Sequence, residues 1–371
     1  MLQAQIEIVL IAAVVAASCA LIGSFLVLRR MALMRDAISH AILFGIVLMF
    51  FVVESTTSPL LILAATLTGL LTVALVEALT RTQLVKEDAA IGLVFPLLFS
   101  IGVILISRYA ANVHLDVDAV LLGELAFAPF NRLIVAGLDI GPQALWLAIG
   151  VGLLNLAFVV IFYKELKLAT FDAGLAAALG FSPLIIHYAL MALVSVTAVS
   201  SFEAAGTVLV VALMVAPPAA AYLLTDRLPM MLALAAGIGV LSAIGGFGLA
   251  RVLDASIAGS MATMTGVAFL LALLFAPERG LVGKWLRGRR QRWQFAGEML
   301  LVHLLQHEGD PARVEEANVE HMARHMRWRP AFGERVADHL ARRGLALRVD
   351  GGRRLALTQD GRTTAQTVMQ R

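Results

Sequence analysis

Nine stretches of about 20 apolar residues occupy most of this 371-residue chain, and they limit its fold more than any other feature. They lie at residues 6–28, 37–53, 59–79, 89–107, 143–163, 185–200, 203–224, 230–250 and 256–276. Such a segment crosses the hydrocarbon core of a bilayer as a helix, since no water is present there to satisfy an open backbone. The mean hydropathy of +0.87 agrees with this interpretation. The sequence therefore predicts an all-α polytopic membrane domain over residues 1–277.

Basic residues indicate how these spans are oriented. Lys and Arg follow the odd-numbered stretches, whereas the opposite loops hold only Arg108, Arg132 and Arg251. Because cytoplasmic loops are enriched in basic residues, we expect the N-terminus outside the cell and the C-terminal tail in the cytoplasm. A total of eight or ten spans would reverse the side of the N-terminus.

Two ionisable residues lie at membrane depth near the start of the second stretch. Asp36 and His40 are four positions apart, so on a helix they share one face and could hold a divalent cation. Ionisable groups are costly inside a bilayer and usually mark a functional site. The alternatives are structural, with Asp36 capping the helix and His40 bonded to a neighbouring helix. Metal passage is the leading hypothesis.

The seventh stretch has two features of its own. Glu203 opens it, and its carboxylate either faces the pathway or complements the helix dipole. Pro217 and Pro218 remove two backbone donors further along, so we expect the helix to kink or break there.

The composition changes sharply after residue 278. The part beyond it holds 18 of the 29 Lys and Arg residues and five of the eight His. Three segments have helical apolar spacing, at residues 294–307, 313–326 and 333–343. Residues 345–357 then form two short alternating runs around an Asp-Gly-Gly turn, followed by a short helix from about residue 359.

These elements in this order describe a winged helix. We therefore predict a basic linker over residues 278–292 and a small α+β winged-helix domain over residues 293–371.

Several blocks of the membrane domain resemble the permease subunits of bacterial manganese, zinc and iron ABC importers. They are residues 29–41, the turn at residues 86–92, and residues 201–206 and 216–226, in the family's order. The resemblance covers roughly residues 5 to 277. It implies a permease in the bacterial inner membrane that forms a homodimer, pairs with a separate ABC ATPase and receives metal from an extracytoplasmic metal-binding protein. It also implies a role for Asp36 and His40 in the metal pathway.

The sequence agrees with a transport subunit rather than an enzyme. It contains no GxxxxGK[ST] phosphate loop, so ATP hydrolysis would come from a partner. We expect no permanently bound cofactor, and the divalent metal is the transported substrate. The sequence around His187-Tyr188 and at residues 114–118 resembles the manganese and iron branch of this family more than the zinc branch, so Mn²⁺ is the leading substrate, with Zn²⁺ and Fe²⁺ as alternatives.

A short segment between the fifth and sixth stretches fits a docking element. Asp172 can cap a helix that runs to Leu179, and Gly180 can end it. The position resembles the family's coupling helix, which contacts the ATPase, and the residues proposed for that contact are Phe171, Asp172, Leu175, Leu179 and Gly180. The alternative is an ordinary interfacial helix.

The loop between the fourth and fifth stretches carries a possible outer mouth for cations. Its candidate residues are His114, Asp116, Asp118 and Glu124. An acidic entrance would concentrate divalent cations and could receive the binding protein. A solvated acidic loop is the alternative.

The tail resembles metal-dependent repressors of the diphtheria-toxin-repressor type, chiefly in residues 336–345 and 355–362. Two histidine pairs at helical i, i+4 spacing, His303 with His307 and His321 with His325, could bind a regulatory metal if they converge. The alternative places them as polar surface residues of unrelated helices. Nucleic acid binding is a less favoured role than regulation or docking, and a membrane-anchored metal-responsive transcription regulator is the alternative function for the whole chain.

Overall fold

The computed structural model describes residues 2–53, 59–109, 125–135, 138–308 and 317–370. The chain divides into two compact units, Met1–Gly280 and Leu281–Arg371, each with its own apolar core. The predicted outer-mouth residues His114, Asp116, Asp118 and Glu124 lie outside the described residues.

The first unit is a bundle of long apolar helices. Its helices are α1 (Leu2–Leu28), α2 (Ala32–Val53), α3 (Pro59–Arg81), α4 (Glu87–Tyr109), α5 (Gln143–Ile161), α6 (Tyr163–Phe171), α7 (Ala173–Ala178), α8 (Pro183–Leu224), α9 (Leu228–Leu253) and α10 (Ile257–Phe275). Among the described residues, nine segments are long and apolar enough to cross a membrane, and two of these lie within α8. The predicted set of spans agrees with this arrangement.

A short antiparallel hairpin, which the sequence analysis missed, precedes α5. Its strands are β1 (Arg132–Val135) and β2 (Leu138–Pro142). Arg132 donates a hydrogen bond to Asp139, which holds the pKa of that carboxyl below its usual range. The same guanidinium lies 3.3 Å from a carboxylate oxygen of Glu7. The start of α1 and this hairpin therefore lie at the same end of the bundle.

The long element α8 changes direction at a glycine rather than at its prolines. Gly206 has φ 74° and ψ 160°, a conformation that side chains disfavour and glycine tolerates. Pro217 and Pro218 lie inside the helical part that continues to Leu224. The helix therefore continues through the prolines without a break, and a kink at the prolines stays a prediction.

Helices α1 and α8 make a close contact at Gly23. A Cβ atom built on Gly23 would lie 2.1 Å from the carbonyl oxygen of Met214. That carbonyl would normally accept from the backbone N–H of the residue four positions later, but Pro218 has none. The glycine therefore gives the freed carbonyl room against the neighbouring helix.

We expect Gly23→Ala to destabilise the membrane unit, because one methyl group forces α1 and α8 apart. Overpacking of this kind costs about 1–3 kcal/mol. The measurement is the thermal unfolding midpoint of the detergent-purified chain. Gly92→Ala serves as the control, since a Cβ there meets no atom within 4 Å. Equal midpoints for the two variants would contradict the close contact.

The second unit combines four helices with a two-stranded sheet. These elements are α11 (Leu281–Gln306), α12 (Val319–His325), α13 (Pro330–Arg342), β3 (Ala346–Val349), β4 (Arg354–Leu357) and α14 (Gln359–Met369). The strands pair antiparallel with Ala346 opposite Leu357, and the turn between them contains Gly351 and Gly352 at positive φ. Helix α11 also covers most of residues 278–292, so the predicted linker is largely helical.

Candidate metal site and docking segment

The Asp36 and His40 side chains lie next to each other near the start of α2. Asp36 Oδ1 and His40 Nε2 are 3.8 Å apart, one helical turn along the chain. Their side chains are 47% and 33% exposed, so the pair faces the surface of the single chain rather than its core. The buried face of the same turn carries Ala37 and Ile38. Helical periodicity thus turns the polar pair outward.

The imidazole of His40 is positioned by aromatic side chains of α4. Its ring centre lies 5.8 Å from that of Phe95 and 6.1 Å from that of Phe99, the second in an edge arrangement. These contacts restrict the ring while Nε2 points toward Asp36. The sequence analysis did not identify either phenylalanine, because their proximity to His40 depends on the packing of α2 against α4.

The Asp36–His40 pair by itself supplies too few ligands for a metal site. Within the described ranges, no three His, Cys, Asp or Glu side chains form a group that could hold a metal ion. A carboxylate and an imidazole supply two ligands, fewer than the four to six that Mn²⁺ or Zn²⁺ takes. Further ligands must come from water, substrate carriers or a second copy.

The structure describes only the backbone of Glu203. It lies in α8, three residues before the change of direction at Gly206. This position is compatible with a carboxylate that faces the pathway and with one that complements the helix dipole. The role of Glu203 therefore stays a prediction.

The predicted docking segment has the expected local structure. The Asp172 carboxylate accepts a hydrogen bond from the Leu175 backbone N–H at 2.9 Å, which caps α7. Helix α7 ends at Ala178, and Gly180 follows with φ 87°. Three large apolar side chains of this segment are exposed, namely Phe171, Leu175 and Leu179, at 62%, 47% and 58%. The segment therefore presents an apolar surface held by a rigid turn.

A polar network connects this segment with the ends of two spans. Arg29, after α1, donates to Thr170 Oγ1 at 3.1 Å and lies 3.5 Å from His187 Nδ1. The Tyr188 hydroxyl donates to Glu77 Oε2 at 2.6 Å. Sequence reasoning missed Glu77, although a carboxylate inside an apolar span is a usable signal. The network links α6 to α1 and α8, and α1 leads directly into the turn before Asp36.

The four tail histidines come together. The ring centres of His303 and His307 are 4.5 Å apart, those of His303 and His325 are 5.5 Å apart, and those of His321 and His325 are 6.3 Å apart. The two pairs therefore belong to one cluster rather than to separate surfaces.

Comparison with known proteins relates the membrane unit to a transporter family. The model of the ABC 3 transport family matches residues 1–276. The manganese transport system membrane protein MntD of Bacillus subtilis (strain 168) is 51% identical over 283 residues, covering 76% of this chain and 96% of MntD. The zinc transport system membrane protein TroD of Treponema pallidum (strain Nichols) is 46% identical over 361 residues, covering 97% of each chain.

A solved structure supports the same fold. PsaBC from Streptococcus pneumoniae in complex with Fab contains a chain that superposes with a TM-score of 0.62 at 28% identity. The match covers 74% of this chain and 92% of that chain. TroD matches nearly the whole chain, whereas MntD leaves about a quarter of it unmatched. The share of this chain that is matched therefore differs between the two relatives.

Proposed function

This chain belongs to the ABC 3 transport family, and from that membership we propose that it is the membrane permease of an ATP-driven importer for a divalent transition metal. It is a multi-pass membrane protein, which we assign to the bacterial inner membrane. ATP hydrolysis falls to a separate ABC ATPase, and an extracytoplasmic metal-binding protein delivers the ion.

The observation that carries this proposal is the Asp36–His40 pair. Its oxygen and nitrogen atoms are 3.8 Å apart at the start of the second candidate span, and both side chains are only partly covered by the chain itself. Desolvating a carboxylate in a bilayer is costly unless a cation accompanies it. A divalent cation that passes beside the pair supplies the positive charge that offsets this cost.

We propose that a homodimer completes the site. Two copies related by a two-fold axis would contribute two carboxylates and two imidazoles from equivalent α2 surfaces. The half-exposed state of both side chains supports this, since a pair serving only its own chain would be covered by it. The pathway would then run between the two copies.

Mn²⁺ is our first choice of substrate. The relative at 51% identity is named for manganese and the one at 46% for zinc. A mixed carboxylate and imidazole set accepts Mn²⁺, Fe²⁺ and Zn²⁺, and its raw affinity favours Zn²⁺ over Mn²⁺. Selection among these ions therefore belongs mainly to the delivering protein.

We propose that the tail is a winged-helix regulatory or docking domain. The order of helices α11 to α13, the β3–β4 hairpin and α14 supports it. Several of its arginines are already engaged by carboxylates of the tail itself. Arg348 pairs with Glu334 and Asp338, each at 2.7 Å, and Arg362 pairs with Glu308. These pairs weaken the positive field that nucleic acid binding requires, which favours regulation over a transcription-regulator function.

Metal uptake by reconstituted vesicles tests the proposed function. Vesicles contain the permease, its ATPase and its binding protein, and ATP is supplied on the ATPase side. We expect ATP-dependent accumulation of Mn²⁺, with Zn²⁺ and Fe²⁺ measured in parallel. Absence of ATP-dependent uptake of all three ions would overturn the proposal.

Removal of the tail separates transport from regulation. We expect a chain ending at Gly280 to keep basal uptake within about twofold, because the membrane unit has its own core and MntD matches without this region. Arg279 stays in the truncated chain, where its guanidinium donates to Asp226 and to the Tyr222 carbonyl. Uptake rates of both forms at low and high internal metal provide the measurement. Identical responses to internal metal would contradict a regulatory tail.

A further inference from the structure

We propose that the tail carries a second metal site, formed by His303, His307, His321 and His325, for a late divalent transition metal of the Zn²⁺ class. The site is separate from the Asp36–His40 pair. It joins the end of α11 to α12 within the second unit.

Three of the ring-to-ring distances in the cluster lie close to the value that one shared ion would set. In a tetrahedral site with Zn–N distances of about 2.0–2.1 Å, the ring centres lie about 5 Å from one another. The observed neighbouring distances of 4.5, 5.5 and 6.3 Å bracket that value. His303 lies in α11, His307 follows its last residue, and His321 and His325 lie in α12, so the four imidazoles come from two separate segments.

His307 makes a hydrogen bond through Nδ1 of the kind that metal-binding histidines make with their non-ligating nitrogen. His307 Nδ1 lies 3.0 Å from the backbone carbonyl oxygen of His303, which can only accept a hydrogen bond. In this contact Nδ1 is the donor, which leaves Nε2 as the nitrogen available to a metal. A ligating histidine usually donates its other N–H to a carbonyl or carboxylate, which fixes the tautomer and the ring plane.

Small ring rotations would bring the nitrogens onto one ion. As the side chains lie, no three-ligand group among the described residues is ready to hold a metal. His325 is exposed and His307 lies just beyond the last residue of α11, so both rings can turn without repacking the core. His303 is buried at 7% exposure and fixes the inner side of the cluster. Metal binding would thus hold the end of α11 and helix α12 together.

The ligand chemistry selects the metal. Four neutral imidazoles suit Zn²⁺, Ni²⁺ and Cu²⁺, whereas Mn²⁺ prefers oxygen ligands and is the weakest binder in the divalent series. The tail would therefore respond to Zn²⁺-class ions even in an importer that carries Mn²⁺. The regulatory consequence, a change of uptake with cytoplasmic Zn²⁺, rests on the proposed transport function, but binding itself does not.

Cobalt spectroscopy tests the site in the full-length chain purified in detergent. The parent protein carries Asp36→Ala and His40→Ala, so the membrane pair contributes no signal. We expect added Co²⁺ to give the visible absorption of a tetrahedral nitrogen site, and Zn²⁺ to displace it. Absence of this absorption in the parent would overturn the proposal.

Histidine replacements assign the signal to the cluster. We expect the single variant His325→Gln and the double variant with His307→Gln each to lower Co²⁺ affinity at least about tenfold. A loss of this size is typical even for groups that only support a metal ligand. Neither residue is buried, so the fold is retained, and Trp293 and Trp328 fluorescence checks this. The matched control is His339→Gln, whose ring lies in the same unit beside Trp293 at 6.2 Å. Unchanged affinity in the double variant, or an equal loss in the control, would contradict the assignment.

Discussion

Asp36→Ala and His40→Ala are each expected to reduce ATP-driven metal uptake about 100-fold or more. These are the two residues proposed as metal ligands, and their facing atoms lie 3.8 Å apart near the start of α2. Loss of a group that merely supports a metal ligand already costs about 10–100-fold in affinity or activity. Removing the ligand itself should cost at least as much. The double variant should fall little below either single one, because the two residues act on one ion.

Two further variants distinguish a lost ligand from a lost fold. Asp36→Asn keeps the size of the side chain and removes its charge, so uptake should fall nearly as far as in Asp36→Ala. Asp254→Asn removes an exposed carboxylate at the end of α9, where the backbone has φ 52° and Asn is tolerated, and uptake should stay normal. Assembly with the ATPase is followed by co-purification. Normal uptake by both alanine variants would remove Asp36 and His40 from the pathway.

Leu175→Asp on α7 is expected to weaken ATPase binding about tenfold to a hundredfold and to reduce uptake accordingly. This side chain lies with Phe171 and Leu179 on an exposed apolar surface. Burying a leucine in an interface contributes about 1.5–3 kcal/mol, and each 1.4 kcal/mol is a factor of about ten in affinity. Because the residue is exposed in the isolated chain, its replacement should leave the permease folded. Affinity is measured by titrating labelled ATPase onto permease in nanodiscs.

The control for this surface is Leu84→Asp. Leu84 is 89% exposed in the turn between α3 and α4, which faces the same side by the distribution of basic residues. ATPase affinity should be unchanged in this variant. Metal binding at Asp36 and His40 should be unchanged in both variants. If Leu175→Asp binds the ATPase as tightly as the parent chain, α7 is an ordinary interfacial helix.

Replacing Asp172, the N-cap residue of α7, should affect ATPase binding less than Leu175→Asp does. The size of the effect should depend on whether the new side chain still accepts a hydrogen bond. Asp172→Ala removes the hydrogen bond to the Leu175 N–H and should cost this helix about 1 kcal/mol. Asp172→Asn keeps an accepting oxygen and should behave like the parent chain. A difference in ATPase affinity between these two variants would show that the rigidity of the segment matters, beyond the identity of its apolar side chains.

Features that depend on neighbouring residues in the sequence were predictable. The nine spans follow from apolar length, and the Asp172 cap and Gly180 follow from local backbone chemistry. The sharing of one helix face by Asp36 and His40 follows from their spacing. The hairpin before α5 was missed because its strands of four and five residues are too short for a clear alternating pattern. The non-helical backbone at Gly206 was not predicted, because a single glycine is a weaker local signal than two adjacent prolines.

Local sequence patterns were therefore enough to predict the membrane class, the positions of the apolar stretches, and which ionisable residues share a helical turn. Which turns meet in space could be seen only in the folded chain. It brought His303 to His325, Tyr188 to Glu77, and the ring of His40 against α4. The reason is physical: the periodicity of a helix sets the direction of each side chain from a few residues, whereas the meeting of distant helices depends on the summed packing of many small contacts. These contacts involve residues far apart in the sequence, so no local pattern reveals them.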